Sequence, residues 1–129
     1  MRILVLTKPV PDPAAGAERL GPDFRLDRAV APGVVNGNDE YALEAALQLV
    51  EAHGGEVVVL TMAPANGTET IRKALAMGAQ RGILVTDEAL AGADLPTTIR
   101  VLAAAAASEP FDLLLGGLDT SDGAGGAVT

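Results

Sequence analysis

The sequence has no cysteine, no tryptophan, one tyrosine, two phenylalanines and one histidine among its 129 residues. Without cysteine there is no disulfide framework, no thiolate metal site and no thiol nucleophile. With only Phe24, Tyr41 and Phe111 as aromatics, there are few platforms on which unpaired bases could stack. Basic residues are also scarce. Nine Lys and Arg against seventeen Asp and Glu give a net charge of −8. A duplex needs a basic face to neutralise its phosphates, so no nucleic-acid partner is expected. Electrostatic attachment to an anionic membrane is disfavoured for the same reason. No apolar run approaches the ~20 residues of a membrane-spanning helix, so no membrane insertion is expected. The opening Met1-Arg2-Ile3-Leu4-Val5-Leu6 is too short for a signal peptide and lacks its cleavage pattern. The expectation is a cytoplasmic chain forming one domain over residues 1–129.

What is present is aliphatic. Hydrophobic residues make up 49% of the chain, enough for a packed core of Ala, Val, Leu and Ile. Residues 2–7, 56–61, 83–86 and 112–115 are short continuous apolar runs, the pattern of strands buried on both faces of a parallel sheet. Helical spacing lies between them. Residues 39–53 carry an apolar stripe from Ala42 to Val50, with Asn38 predicted as N-cap and Gly54-Gly55 as terminator. Residues 68–77 stop at Gly78, and 95–108 begin after Asp94 with Pro96 tolerated in the first turn. Alternation of this kind predicts an α/β fold with a doubly wound, mostly parallel sheet. A long excursion, residues 9–38, separates the first strand from the first helix. It contains Pro9, Pro11, Pro13, Pro22 and Pro32. Within it, Arg19-Leu20 and Phe24-Arg25-Leu26 are predicted to pair as a hairpin around Gly21-Pro22-Asp23.

In an open α/β sheet, ligands sit beyond the carboxyl ends of the strands, where strand order reverses. Thr7 and Lys8 follow the first strand, Met62 follows the second, and a glycine-rich stretch from Gly116 follows the fourth. Asn36-Gly37-Asn38-Asp39 reaches the same edge if the excursion folds back. Closely spaced backbone N–H groups with little side-chain bulk suit a phosphate, although the spacing fits neither G-x-G-x-x-G nor the P-loop. The same stretch also fits a flexible tail. The asparagines suit either turn chemistry or recognition of adenine and ribose. Lys8 suits either a phosphate or an exposed surface, and Met62 either the core or a flat ligand face. His53 has no second histidine or carboxylate partner, and the carboxylates read as solvated. No catalytic set or metal cluster can be assembled.

Four blocks together resemble the electron transfer flavoprotein β subunit family. They are Met1 to Asp12, Asn36-Gly37-Asn38-Asp39-Glu40-Tyr41-Ala42-Leu43-Glu44-Ala45-Ala46, Ala74-Leu75-Ala76-Met77-Gly78-Ala79, and Phe111 to Gly117 followed by Asp122-Gly123. The resemblance implies a Rossmann-like adenine-nucleotide-binding fold and a non-catalytic electron-carrier subunit. It implies AMP, or a second FAD in electron-bifurcating members, with a further FAD held mainly by an α subunit. It implies as partners that α subunit, acyl-CoA or other flavoprotein dehydrogenases, and a quinone-linked acceptor. By the same likeness, Leu6, Thr7 and Lys8 form the strand-end contact. Asn36, Gly37, Asn38 and Asp39 frame the adenosine, and Met62 lines the adenine pocket. Gly117, Asp122, Gly123, Ala124, Gly125, Gly126, Ala127 and Val128 wrap the phosphate. The sequence departs from the family where Gly37 replaces the usual proline and where Asp119 to Ala127 replaces Q-A-I-D-G-D-T-G-Q. Family members also continue beyond residue 129, so this chain is expected to be the N-terminal part of a longer subunit.

Two other families resemble the chain in part. Universal stress-type nucleotide sensors share the fold, but their G-x-x-G-(nine residues)-G-[ST] spacing does not occur here. Gly116-Gly117-Leu118-Asp119-Thr120-Ser121 also resembles the pyrophosphate loop of ATP-splitting ligases, which follows the first strand rather than the fourth.

Overall fold

The computed structural model describes residues 1–16, 18–28 and 33–128. Pro32 and Thr129 lie outside the described residues. Four parallel strands form the main sheet: β1 (Arg2–Leu6), β4 (Glu56–Met62), β5 (Arg81–Val85) and β6 (Leu113–Leu115). A short antiparallel ribbon lies between the first two in sequence, pairing β2 (Pro9–Pro11) with β3 (Gly33–Val35). Three helices connect the sheet: α1 (Gly37–His53), α2 (Thr68–Met77) and α3 (Leu95–Ala107). The strand order is β5-β4-β1-β6. The chain therefore winds outward from β1 through β4 to β5 and then returns to the other side of β1. The reversal point lies between β1 and β6.

The apolar runs form strands because both faces of the sheet are covered. Ile3, Val5, Val57 and Val59 face one way and pack with Leu43 and Ala46 of α1 and Ile71 and Ala74 of α2. Leu4, Val58 and Leu60 face the other way and pack with Ala106 and Leu102 of α3. Register places Ile3 between Val57 and Leu113, and Val5 between Val59 and Leu115. Gly82 has a packing reason. A Cβ there would overlap the Ile71 side chain, so glycine allows α2 to lie directly on β5.

Among its described residues, the excursion forms the β2–β3 ribbon and a hairpin. Pro9 and Pro11 occupy an edge ribbon, where a missing N–H is tolerated. The predicted hairpin is present. Leu20 bridges Leu26, and Gly21 N–H donates to the Arg25 carbonyl at 2.7 Å. Several boundaries shift. α1 begins at Gly37, not 39, and its N-cap is Asn36 rather than Asn38. The first intrahelical bonds run from Asp39 and Glu40 N–H to the Asn36 carbonyl. β5 begins at Arg81 because Gln80 to Gly82 extends alongside β4, with Gln80 N–H donating to the Val57 carbonyl at 3.0 Å. β1 ends at Leu6, and Thr7 turns into the site that follows.

Candidate functional site

Three segments converge at the carboxyl edge between β1 and β6. The first is Thr7-Lys8. The Thr7 hydroxyl meets the Thr61 hydroxyl at 2.5 Å, and Thr7 N–H donates to the Leu60 carbonyl. The ends of β1 and β4 are thereby held flush. The second segment is the first turn of α1, and the third is the loop that leaves β6.

Asp39 joins all three. It lies in the first turn of α1, where the helix dipole favours a carboxylate. Its Oδ2 accepts the Lys8 N–H at 2.8 Å. The Gly117 backbone and the Asn36 side chain also lie beside it and favour its charged form. Burial pushes the Asp39 carboxyl above the usual range, and these hydrogen bonds and the nearby Lys8 charge offset part of that rise. Gly117 sits against the helix itself. A Cβ there would come 2.8 Å from the Asn38 carbonyl carbon and 2.9 Å from the Asn38 Cβ.

The asparagines hold the loop. Asn36, only 1% exposed, donates from Nδ2 to the Asp119 carbonyl at 2.7 Å and accepts the Ser121 N–H on Oδ1 at 3.2 Å. Asn38 Nδ2 donates to the Asp119 carboxylate at 2.5 Å. Asn36 caps α1 by position without a side-chain cap bond, because its side chain is already used by the loop. Beyond Ser121 the chain turns on itself, with Gly123 and Ala124 N–H groups donating to the Thr120 carbonyl.

Asp122 is the second buried carboxylate, its side chain 1% exposed. Lys8 Nζ donates to Oδ1 at 2.8 Å, and Arg28 Nη2 donates to Oδ2 at 2.7 Å. Burial alone would raise this carboxyl. The hydrogen bonds from Lys8, Arg28 and Thr120, with the Lys8 charge, outweigh it and hold Asp122 below the ordinary carboxylate range. The expectation that the carboxylates are solvated is therefore corrected at Asp39 and Asp122. Both are enclosed, because each collects enough donors to replace water.

Past this anchor the loop is open. Gly125, Gly126, Ala127 and Val128 are exposed, and Gly126 has φ +53°. Among the described residues, no protein acceptor meets the backbone N–H groups of these four. A run of free amides beside the Lys8 and Arg28 cations suits an anionic group. The other predicted residues sit at separate places around the strand ends. Leu6 is half-buried against the α3-side core. Met62 is half-buried at the end of β4, opposite Val85 of β5. Gly37 is exposed at the start of α1, where its missing side chain leaves the turn open.

Sequence reasoning did not single out Arg28, and it placed Asp119, Thr120 and Ser121 only within the stretch from Gly117 through Val128. Asp122 offered one signal for the first of these, because a buried carboxylate must recruit a cation and the chain has only nine. At the opposite end of the sheet, a hollow of about 620 Å³ is lined by Met1, Arg2, Glu56, Phe111 and Asp112 among others. The Arg2 guanidinium bonds Glu56 and the Pro110 carbonyl, and the Arg2 backbone N–H donates to the Asp112 carboxylate. Among the described residues no group of acidic, histidine or cysteine side chains could hold a metal ion. No described helix is long and apolar enough to cross a membrane.

Comparison with known proteins decides the family. Residues 23–128 match the electron transfer flavoprotein domain. The chain belongs to the electron transfer flavoprotein family. It is 40% identical over 132 residues to the electron transfer flavoprotein subunit beta of Mycobacterium bovis, covering 98% of this chain and 50% of that protein. It is 43% identical over 129 residues to protein FixA of Azorhizobium caulinodans, covering 95% of this chain and 45% of that protein. The electron transfer flavoprotein subunit beta of Thermoanaerobacterium thermosaccharolyticum is 40% identical over 124 residues, covering 95% of this chain and 47% of that protein. The chain thus spans about half the length of the curated relatives it matches. In this family frame, the asparagine turn and the glycine loop are the family blocks on which the resemblance rested, and they are in contact.

Proposed function

We propose that this chain is the nucleotide-binding part of an electron transfer flavoprotein β subunit, acting in the cytoplasm. It binds AMP, or a second FAD in a bifurcating complex, at the carboxyl edge between β1 and β6. It scaffolds an α subunit that holds the FAD through which electrons pass, from acyl-CoA or other flavoprotein dehydrogenases to a quinone-linked acceptor. The observation that carries this reading is the convergence of Asn36, Asn38 and the loop 116–128 on one rim, with unpartnered loop amides beyond a fixed anchor.

The work of this subunit is positional. Electron transfer requires cofactors held at fixed places, and the protein supplies binding and orientation. Lys8 and the amides of Gly125 to Val128 would hold the phosphate. Asn36 and Asn38 act on the nucleotide through the loop they fasten, with Met62, Thr7 and Leu6 forming the strand-end floor. AMP in such a site supplies no redox chemistry, and no side chain here is assigned a proton transfer or a covalent bond.

The test is to denature the purified protein and identify the released nucleotide. AMP or FAD supports the reading; ATP would favour a stand-alone stress-type sensor instead. Asn38→Ala removes two donations to Asp119. It is expected to weaken nucleotide retention about tenfold, the scale of one lost charge-assisted hydrogen bond. Subunit assembly should weaken with it, more than flavin absorbance changes. Unchanged retention and assembly would remove Asn38 from the site.

A further inference from the structure

Arg28 lies in the excursion, far in sequence from the glycine loop, yet its guanidinium bridges the two. Nη1 donates to the Pro9 carbonyl at 3.1 Å, and Nη2 donates to Asp122 at 2.7 Å. We propose that Arg28 is a positioning residue for the phosphate-binding loop: through Asp122 it fixes the loop to the β2 ribbon and frees the Lys8 charge for a phosphate. This rests on the nucleotide reading above.

The argument is one of charge and geometry. Lys8 and Arg28 share the single Asp122 carboxylate, so two cations converge on one enclosed anion. The Asp122 side chain is 1% exposed, whereas Lys8 and Arg28 are 37% and 36% exposed. The anion is therefore enclosed and the cations retain an accessible side. Lys8 Nζ is next to the glycine loop, 3.9 Å from where a Cβ on Gly123 would lie. If Arg28 were absent, Lys8 alone would neutralise Asp122. One of the two cations on Asp122 and the tie to Pro9 would be lost. A lysine at position 28 keeps the charge but not the planar fork that spans two acceptors. The effect should therefore fall on the phosphate and spare the nucleoside.

The experiment is calorimetric titration of the full chain with AMP and with adenosine, for wild type, Arg28→Gln and Arg28→Lys, with thermal melts as a folding control. Arg28→Gln is expected to weaken AMP binding about tenfold while adenosine affinity stays within about twofold, since the lost interactions are charge-assisted. Arg28→Lys should recover part of the AMP affinity. The advantage of AMP over adenosine should depend on salt in wild type and lose most of that dependence in Arg28→Gln. Equal losses for AMP and adenosine, or no loss for either, would overturn the proposal while leaving the nucleotide reading intact. Wild type binding neither ligand would overturn the nucleotide reading itself. Should Arg28→Gln fail to fold, Arg28→Lys still decides, because full retention of the AMP preference would contradict the two-acceptor geometry.

Discussion

Replacing Asp39 by alanine is expected to lower the unfolding free energy by about 3 kcal/mol and to abolish nucleotide binding. The loss follows from what the carboxylate does. It accepts the backbone N–H of Lys8, sits beside the Gly117 backbone and lies 5% exposed at the start of α1. Removing it leaves the part-buried Lys8 N–H without an acceptor, which costs about 1–3 kcal/mol. The strand ends of β1 and β6 would then separate from α1. Denaturant unfolding measures the stability term, and AMP titration the functional one. Asp39→Asn tests the electrostatics separately. Burial raises the Asp39 carboxyl in the folded chain, so its folded pKa lies above the unfolded value of about 3.9. The contribution of such a group is fully present below the unfolded value and is lost as pH rises through the folded one. The stability of wild type relative to Asp39→Asn should therefore be greatest in acid and decline as pH rises through that window. A difference that grows with pH would contradict the assignment.

Gly117→Ala is expected to be the second severe substitution, with nucleotide affinity falling roughly a hundredfold and stability by about 2 kcal/mol, the scale of forced overpacking. The atoms in the way are backbone and Cβ atoms of Asn38 and the Asp39 carboxylate. The Asn38 backbone and Cβ atoms cannot swing aside as a side-chain tip can, so the loop must move away from α1. Gly125→Ala is the matched control, because nothing lies within 4 Å of the Cβ it would add. The two variants differ by one loop position type and should differ widely in AMP titration. Equal behaviour would mean that the α1 contact does not set the site.

The main sheet was readable because its strands are buried on both faces, leaving runs such as Val57-Val58-Val59-Leu60 with no polar interruption. The helices were readable from their stripes and terminators, and Asp94 accepts the Thr97 N–H as its capping position predicts. The ribbon of β2 and β3 was not, because Pro9 and Pro11 weaken any strand pattern and its partner residues lie more than twenty positions apart. The start of α1 was misplaced for a related reason. Asn36 and Asn38 are both competent caps by type, and only the loop from β6 shows that the Asn36 side chain is occupied elsewhere. The site residues were legible as a composition of glycines and asparagines. The two enclosed carboxylates were not, because a buried ion is defined by distant partners: Lys8 and Arg28 for Asp122, Lys8 and Gly117 for Asp39.

The most direct measurement is a titration of AMP into isotope-labelled protein, following the backbone amides of Ser121 to Val128 and the side-chain amides of Asn36 and Asn38 by nuclear magnetic resonance. The account predicts that these signals shift together and saturate at one nucleotide per chain. Those around Arg2, Glu56 and Phe111, at the other end of the sheet, should stay still. Shifts confined to that far end, or none at saturating AMP, would contradict it.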